Sequence, residues 1–120
     1  KVLAKVSLKT GCTISNYTVG PIFMEEKTKG SHEWIIEFEK EPKDINHFAK
    51  LLDEELQNEN SDYEAKRYKN MTLFPLKLNK AKKGLFYNWL SKKGKLGGQN
   101  KVPRLSNNRE FLDELIKLNN

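Results

Sequence analysis

Hydrophobic residues along the first quarter of the chain change from helical to extended spacing. Apolar residues within 1–10 have the spacing of a short helix, and Gly11 is expected to end that helix at the C′ position. Residues 12–24 are rich in β-branched and aromatic side chains, which predicts a strand. Gly20 and Pro21 predict a bend in this strand, because proline donates no ladder hydrogen bond.

A second strand follows a polar turn at 25–31. Trp34, Ile36 and Phe38 alternate with other residues, so the strand has one fully apolar face. The spacing of the two strands predicts an antiparallel hairpin.

The clearest helical pattern in the chain begins after Pro42 and Asp44. Asp53, Glu54 and Glu55 are expected on its polar side, and residues 62–69 can add another turn or two of helix. The apolar stripe has i, i+3, i+4, i+7 and i+11 spacing and consists of Ile45, Phe48, Ala49, Leu52 and Leu56.

Residues 71–78 predict a strand that contains Pro75. A proline in a strand indicates an edge position or a bulge. The next apolar stripe, from Leu85 to Leu90, predicts a helix that ends at Gly94.

The end of the chain is expected to hold a short strand over 102–105 and a last helix. Asn107 and Glu110 resemble a capping box at the start of that helix. The predicted order α-β-β-α-β-α-(β)-α indicates an α+β fold: a two-layer sandwich in which helices pack on a small, mostly antiparallel sheet. We interpret residues 1–120 as a single domain. Because the first helix has no N-cap, we also interpret the chain as a fragment of a longer protein.

Composition narrows the class of protein. The chain is 37% hydrophobic and 32% charged, which is typical of a folded globular domain. No apolar run approaches the ~18 residues that a membrane span needs, so we expect no membrane partner. The single cysteine, Cys12, excludes an internal disulfide and favours a reducing compartment, which we take to be the cytoplasm.

A glycine-rich segment late in the chain suggests an anionic partner. Gly94, Gly97 and Gly98 precede two cations, Lys101 and Arg104, which are separated by a proline. A segment of this kind suits a phosphate. A basic surface loop without a ligand explains the same residues equally well, so both interpretations stay open.

Four short motifs, in this order and at these separations, carry a family resemblance. They are a Ser-x-Tyr-x-x-x-Arg element at 61–67, a Pro-Leu-x-hydrophobic strand at 75–78, a Gly-x-Phe helix start at 84–86, and a glycine followed by Lys-x-Pro-Arg at 94–104. With these motifs the chain resembles the C-terminal domain of the auxin-responsive (Gretchen Hagen) family of acyl acid-amido synthetases, in particular its bacterial branch. One position departs from the pattern: Asn100 stands where the family often has an aromatic residue or histidine.

The resemblance implies a two-step enzyme of the adenylate-forming type. In the family, a large N-terminal domain binds ATP and a carboxylic acid, and a small C-terminal domain moves over it. Carboxylate and ATP give an acyl-adenylate with Mg²⁺ and release pyrophosphate, and an amino acid amine then forms the amide and releases AMP. By resemblance, this chain is the mobile domain, and its partners are its own N-terminal domain, ATP, a carboxylic acid and an amino acid.

The resemblance assigns the catalytic role to Lys101, whose ammonium would offset the negative charge that develops on the α-phosphate. A solvated lysine is the alternative. Arg104 is a candidate to bind a phosphate or carboxylate with two hydrogen bonds, or else to pair with Asp113 or Glu114 and hold the last helix. Gly97 and Gly98 either let the segment reshape between two domain positions or form a tight turn.

Two further candidates come from the first motif. Tyr63 and Arg67 are one helical turn apart and share a face. By resemblance both border the domain interface, so Tyr63 is an interface candidate and Arg67 a nucleotide-contacting candidate. A structural role, in which Arg67 anchors the edge strand, is equally open.

The competing interpretation is a stand-alone α+β module that binds nucleic acid or another ligand. The net charge of +6 favours it. Against it, the sequence has no RNP1-like pattern, and Trp34 and Phe38 are expected in the core rather than on a base-stacking surface. We therefore expect no nucleic acid partner. His32 and His47 have no metal-ligand spacing, so no metal site is expected.

Overall fold

A three-stranded sheet carries helices on both of its faces. The computed structural model describes residues 2–23, 30–68, 73–92 and 109–119. In chain order, these residues form α1 (Val2–Thr10), β1 (Thr13–Phe23), β2 (Gly30–Lys40), α2 (Ile45–Glu59), α3 (Ser61–Arg67), β3 (Lys77–Ala81), α4 (Leu85–Lys92) and α5 (Glu110–Asn119). None of these helices is long and apolar enough to cross a membrane.

The sheet has the order β1-β2-β3, so β2 is the central strand. β1 and β2 pair antiparallel, with Val19 opposite Trp34, which confirms the predicted hairpin. β2 and β3 pair parallel, from Glu33 opposite Lys77 to Glu37 opposite Ala81. The α+β class with a small, mostly antiparallel sheet is therefore confirmed.

One face of the sheet packs against α1 and α2. The predicted apolar face of β2 lies here and contacts Phe48, whose ring meets that of Phe38 edge-on at 5.2 Å. The buried residues of this cluster are Val6, Cys12, Val19, Trp34, Ile36, Phe38, Phe48 and Leu52. Cys12 has a free, buried thiol.

The opposite face packs against α4 and α5, which makes one helical layer more than the two-layer arrangement we expected. In the sequence of β2, only Ile35 indicates this second buried face, because its neighbours on the same face, Glu33 and Glu37, are acids. The buried residues of this second cluster are Ile35, Ala81, Leu85, Phe86, Trp89, Leu112 and Leu115.

The end of α1 is as predicted. Gly11 has a φ of 71°, a left-handed conformation that glycine adopts without a Cβ penalty, and its N–H donates to the Ser7 carbonyl at 2.8 Å. Two ion pairs, Lys5 with Glu59 and Lys9 with Glu55, then tie α1 to α2.

The third strand begins later than predicted. Leu73 forms an isolated bridge with Gly30, and regular pairing starts only at Lys77. Pro75 lies between the two, where its missing N–H costs no ladder hydrogen bond. β3 is an edge strand, as expected.

Other boundaries differ in detail. Pairing of β1 continues without a shift through Gly20 and Pro21, and the register irregularities lie between Thr13 and Asn16. The predicted strand at 102–105 and the cap at Asn107 lie outside the described residues.

Candidate functional site

Tyr63 and Arg67, the two candidates of the first motif, converge on one buried carboxylate. The Asn60 side chain caps α3 by accepting from the backbone N–H of Tyr63 at 3.1 Å. One turn apart on α3, Tyr63 and Arg67 both face Asp53 of α2. The Tyr63 hydroxyl donates to Asp53 Oδ1 at 2.5 Å, and Arg67 Nη2 lies 2.8 Å from Asp53 Oδ2.

Hydrogen bonds determine the protonation states in this triad, which consists of Asp53, Tyr63 and Arg67. Burial acts to raise the pKa of Asp53, but hydrogen bonds from Arg67, Tyr63 and Gln57, with the charge of Arg67, outweigh it and lower the pKa. Burial and the Asp53 carboxylate raise the pKa of Tyr63, so its hydroxyl stays protonated and remains a donor. The site is a charged carboxylate–guanidinium pair with a neutral phenol.

Arg67 also reaches the segment that leads into β3. Its Nη1 donates to the Leu73 carbonyl at 3.2 Å, and its side chain is 10% exposed. These contacts agree with the structural alternative, in which Arg67 anchors the edge strand. Its contact with a nucleotide stays a prediction.

On its other side, Tyr63 lines an aromatic pocket of about 310 Å³ between the sheet and the end of α2. The His32 ring stacks on Tyr63 with centroids 6.2 Å apart, and Tyr17 stacks on Trp34 at 5.8 Å. Burial and the charge of Lys66 lower the pKa of His32, which favours the neutral imidazole. Tyr63 therefore joins an ionic cluster to an apolar one.

A second buried acid, Glu33 of β2, lies on the opposite face of the sheet. Arg109 Nη2 approaches Glu33 Oε1 at 2.8 Å, Asn79 Nδ2 donates to Oε2 at 2.8 Å, and Lys77 Nζ lies at 3.6 Å. Burial acts to raise the pKa of Glu33, but these three partners outweigh it and lower the pKa. Glu33 is charged, and it joins β2 to β3 and to the start of α5.

Glu37, two residues further along β2, caps α4. Its carboxylate accepts from the backbone N–H of Gly84 at 2.9 Å and of Phe86 at 3.1 Å. A carboxylate at this position stabilises a helix N-terminus. The Gly-x-Phe motif therefore marks the place where α4 is attached to the central strand.

The candidates with the strongest predicted chemistry lie outside the described residues. Lys101, Arg104, Gly94, Gly97 and Gly98 all belong to the segment 93–108. The two acids weighed as partners of Arg104 have partners of their own: Asp113 pairs with Arg109 at 2.8 Å, and Glu114 accepts from Trp89 Nε1 at 2.9 Å.

No group of three or more histidine, cysteine, aspartate or glutamate side chains suited to hold a metal ion lies within the described residues. His32 is half-buried against Tyr63, whereas His47 is exposed at the start of α2.

The placement of the acids on α2 was partly wrong. Glu54 is exposed as expected, but Asp53 and Glu55 are 8% and 6% exposed. Asp53 borders the apolar stripe, and its partners, Tyr63 and Arg67, come from the next helix. An acid next to an apolar stripe and followed by a Tyr-x-x-x-Arg helix is the signal that would have located it.

Comparison with known proteins gives a consistent result. A sequence model of the GH3 family C-terminal domain matches residues 1–110. No curated protein matches the sequence.

Solved structures of similar fold include two of acyl acid amido synthetases. One, a GH3.15 acyl acid amido synthetase, is 16% identical with a TM-score of 0.70. The other, AtGH3.15 acyl acid amido synthetase in complex with 2,4-DB, is 18% identical with a TM-score of 0.72. Each likeness covers 98% of this chain but only 22% of the other protein, so the chain spans about a fifth of their length.

The family match covers most of the chain, and the fold agrees with it over nearly every residue. Three of the four motifs lie in described positions, where they join α2 to α3, lead into β3, and attach α4 to β2. This chain belongs to the GH3 family, as its C-terminal domain.

Proposed function

We propose that this chain is the C-terminal domain of an ATP-dependent acyl acid-amido synthetase. The observation that carries the proposal is the match of residues 1–110 to the C-terminal domain of the GH3 family. The solved proteins of the same fold are named acyl acid amido synthetases, which supports the same reaction class. The N-terminal domain is then the partner of this chain, and it holds most of the ATP and Mg²⁺ contacts.

The reaction we propose has two steps. A carboxylate oxygen of the acyl substrate attacks the α-phosphorus of ATP, the bond to pyrophosphate breaks, and an acyl-adenylate forms. The amine of an amino acid then attacks the acyl carbon, and the carbon–oxygen bond to AMP breaks as the amide forms. The amine proton is lost to solvent or a base.

Within this reaction we assign Lys101 to the first step. Negative charge grows on the α-phosphate oxygens as the carboxylate attacks, and an ammonium held beside them stabilises that charge. Arg104 is assigned to a phosphate or carboxylate by its paired donors. Gly94, Gly97 and Gly98 let the segment adjust between the two steps.

For Arg67 we propose the structural role. Its guanidinium already binds Asp53 and the Leu73 carbonyl, so a nucleotide contact would have to compete with both. Tyr63 remains an interface candidate through the pocket it shares with His32. We also place the enzyme in the cytoplasm, since a free cysteine suits a reducing compartment.

The test uses the full-length enzyme with Lys101→Ala. We expect pyrophosphate release to slow by about a hundredfold or more, the usual cost of losing one transition-state contact. Amide formation from supplied acyl-adenylate should change far less. Lys95→Ala is the matched control, because it removes the same charge from the same segment. Adenylation at the wild-type rate in Lys101→Ala would reject the assignment.

A further inference from the structure

The pocket beside Tyr63 has the size and the walls of a site for a single aromatic ring. Its volume is about 310 Å³, near the lower limit for pockets that hold small molecules. Aromatic side chains favour a flat ligand, because their faces and edges bind other rings by stacking or edge-on contact. Four of the lining side chains are rings, and they belong to Tyr17, His32, Trp34 and Tyr63.

The charge of the lining favours a neutral ligand. Within the described part of the chain, no aspartate, glutamate, lysine or arginine lines this pocket. The lowered pKa of His32 keeps its imidazole neutral, and the charge of Lys66 that contributes to this shift also disfavours a cation. Burial of an ion without a counter-charge costs far more than burial of a neutral polar group.

Two donors at the pocket suit a ligand that has an acceptor oxygen. The indole N–H of Trp34 is shielded from water and has no hydrogen-bond partner among the described residues. A buried donor without a partner costs free energy, and an acceptor that enters between the rings would satisfy it. The exposed Asn60 uses its side-chain oxygen to cap α3, which leaves its NH₂ group as a second donor.

We propose that this pocket binds a neutral aromatic molecule with a carbonyl oxygen next to its ring. The ring packs against the four aromatic side chains, and the oxygen accepts from the Trp34 indole with the Asn60 amide as a second donor. The proposal goes beyond the function proposed above and does not depend on it. All residues of the site lie in β1, β2, α2, α3 and the cap of α3.

Benzamide is the probe, and the two tryptophans of this domain report on its binding. The full-length protein is labelled with ¹⁵N-tryptophan and titrated, and Trp34→Phe and Trp89→Phe assign the two indole N–H signals in its NMR spectrum. We expect the Trp34 signal to shift with a Kd in roughly the millimolar range, since a ligand of this size has few atoms to bind with. Trp89 is the internal control: it lies in the other core cluster, and its N–H already donates to Glu114 at 2.9 Å.

Three further probes test the chemistry of the ligand. Cyclohexanecarboxamide keeps the carbonyl without the flat ring, benzoate adds a negative charge, and tetramethylammonium tests whether the rings hold a cation instead. Each should bind at least about fivefold more weakly than benzamide. An affinity equal to that of benzamide for any of the three would overturn the proposed ligand class.

Asn60→Asp tests the second donor without removing the helix cap. Aspartate caps a helix as well as asparagine does, but its carboxylate cannot donate to a carbonyl oxygen. We expect this variant to bind benzamide about fivefold more weakly. Asn58→Asp is the matched control, because the same change falls on an exposed residue of α2 outside the pocket lining, and its affinity should stay within about twofold of the wild type.

The proposal is overturned if benzamide shifts neither tryptophan signal, or shifts that of Trp89 as much as that of Trp34. Equal losses of affinity in Asn60→Asp and Asn58→Asp would also overturn it. The readout is binding rather than turnover, so failure of the Lys101→Ala test rejects the role of Lys101 and leaves this result intact.

Discussion

At the scale of single residues, two buried carboxylates each join separate elements of the fold. Asp53 binds Arg67 and Tyr63 of α3, and Glu33 binds Arg109 before α5. In both cases hydrogen bonds and opposite charges outweigh the cost of burial, so both acids are charged in the folded protein. Glu33 does not stand out in the sequence, because Arg109 becomes its neighbour only when the chain folds, whereas Asp53 is followed closely by the Tyr-x-x-x-Arg helix that binds it.

Asp53→Asn should destabilise the domain by about 3 kcal/mol, since it leaves the Arg67 guanidinium nearly buried without its counter-charge. Urea unfolding followed by tryptophan fluorescence measures the change. Glu54→Gln, at the exposed neighbouring position, is the control and should have little effect. Equal stability of Asp53→Asn and wild type would show that the triad contributes nothing to folding.

The ion pair of Asp53 and Arg67 also makes the stability of the domain depend on pH. The pKa of Asp53 is lower in the folded protein than its usual 3.8, so its contribution is fully present above that value. It is lost as pH falls through the folded pKa, because the unfolded chain then binds the proton more readily. The free energy of unfolding should therefore fall below about pH 4 more steeply in wild type than in Asp53→Asn. If the free energy of unfolding changed with pH in the same way for wild type and Asp53→Asn between about pH 5 and about pH 2.5, this prediction would be contradicted.

At the scale of elements, alternation and helical spacing predicted most of the secondary structure. The hairpin, the α2 stripe and the Gly11 terminus were predicted because each depends on residues close in sequence. The start of β3 and the second helical layer were not predicted from the sequence. Both depend on long-range pairing, and β2 shows its second buried face only through Ile35.

Gly30, the first residue of β2, is required by a close approach of two strands. A Cβ at this position would lie 2.7 Å from the Ile22 carbonyl oxygen, which belongs to the paired backbone of β1. Gly30→Ala should therefore destabilise the domain by about 1–3 kcal/mol, because the strands must move apart. Thermal unfolding by circular dichroism measures the loss.

Gly11→Asn is the control for a glycine replacement without a clash. Nothing lies within 4 Å of a Cβ at Gly11, and asparagine tolerates the left-handed conformation at a helix end. It should change stability less than Gly30→Ala does. The reverse order would show that the approach of β1 and β2 is not tight.

At the scale of the whole molecule, the chain is a C-terminal domain of the GH3 family, and we propose that its chemistry depends on a partner domain. The sequence motifs predicted the family, which the comparison with known proteins confirms, because they combine local turn and capping residues with a basic segment. The role of Lys101 and of its neighbours stays a prediction, since the described residues end at Lys92 and resume at Arg109. What the structure adds is the contacts of the two flanking helices: Trp89 of α4 binds Glu114 of α5, and Arg109 before α5 binds Glu33 of β2.

The most direct test of the account compares this 120-residue chain with the full-length enzyme in a pyrophosphate-release assay with ATP, Mg²⁺ and a panel of carboxylic acids. The account predicts carboxylate-dependent release by the full-length enzyme and none by the chain alone. Turnover by the isolated chain, or full-length enzyme that releases no pyrophosphate with any carboxylate, would contradict it.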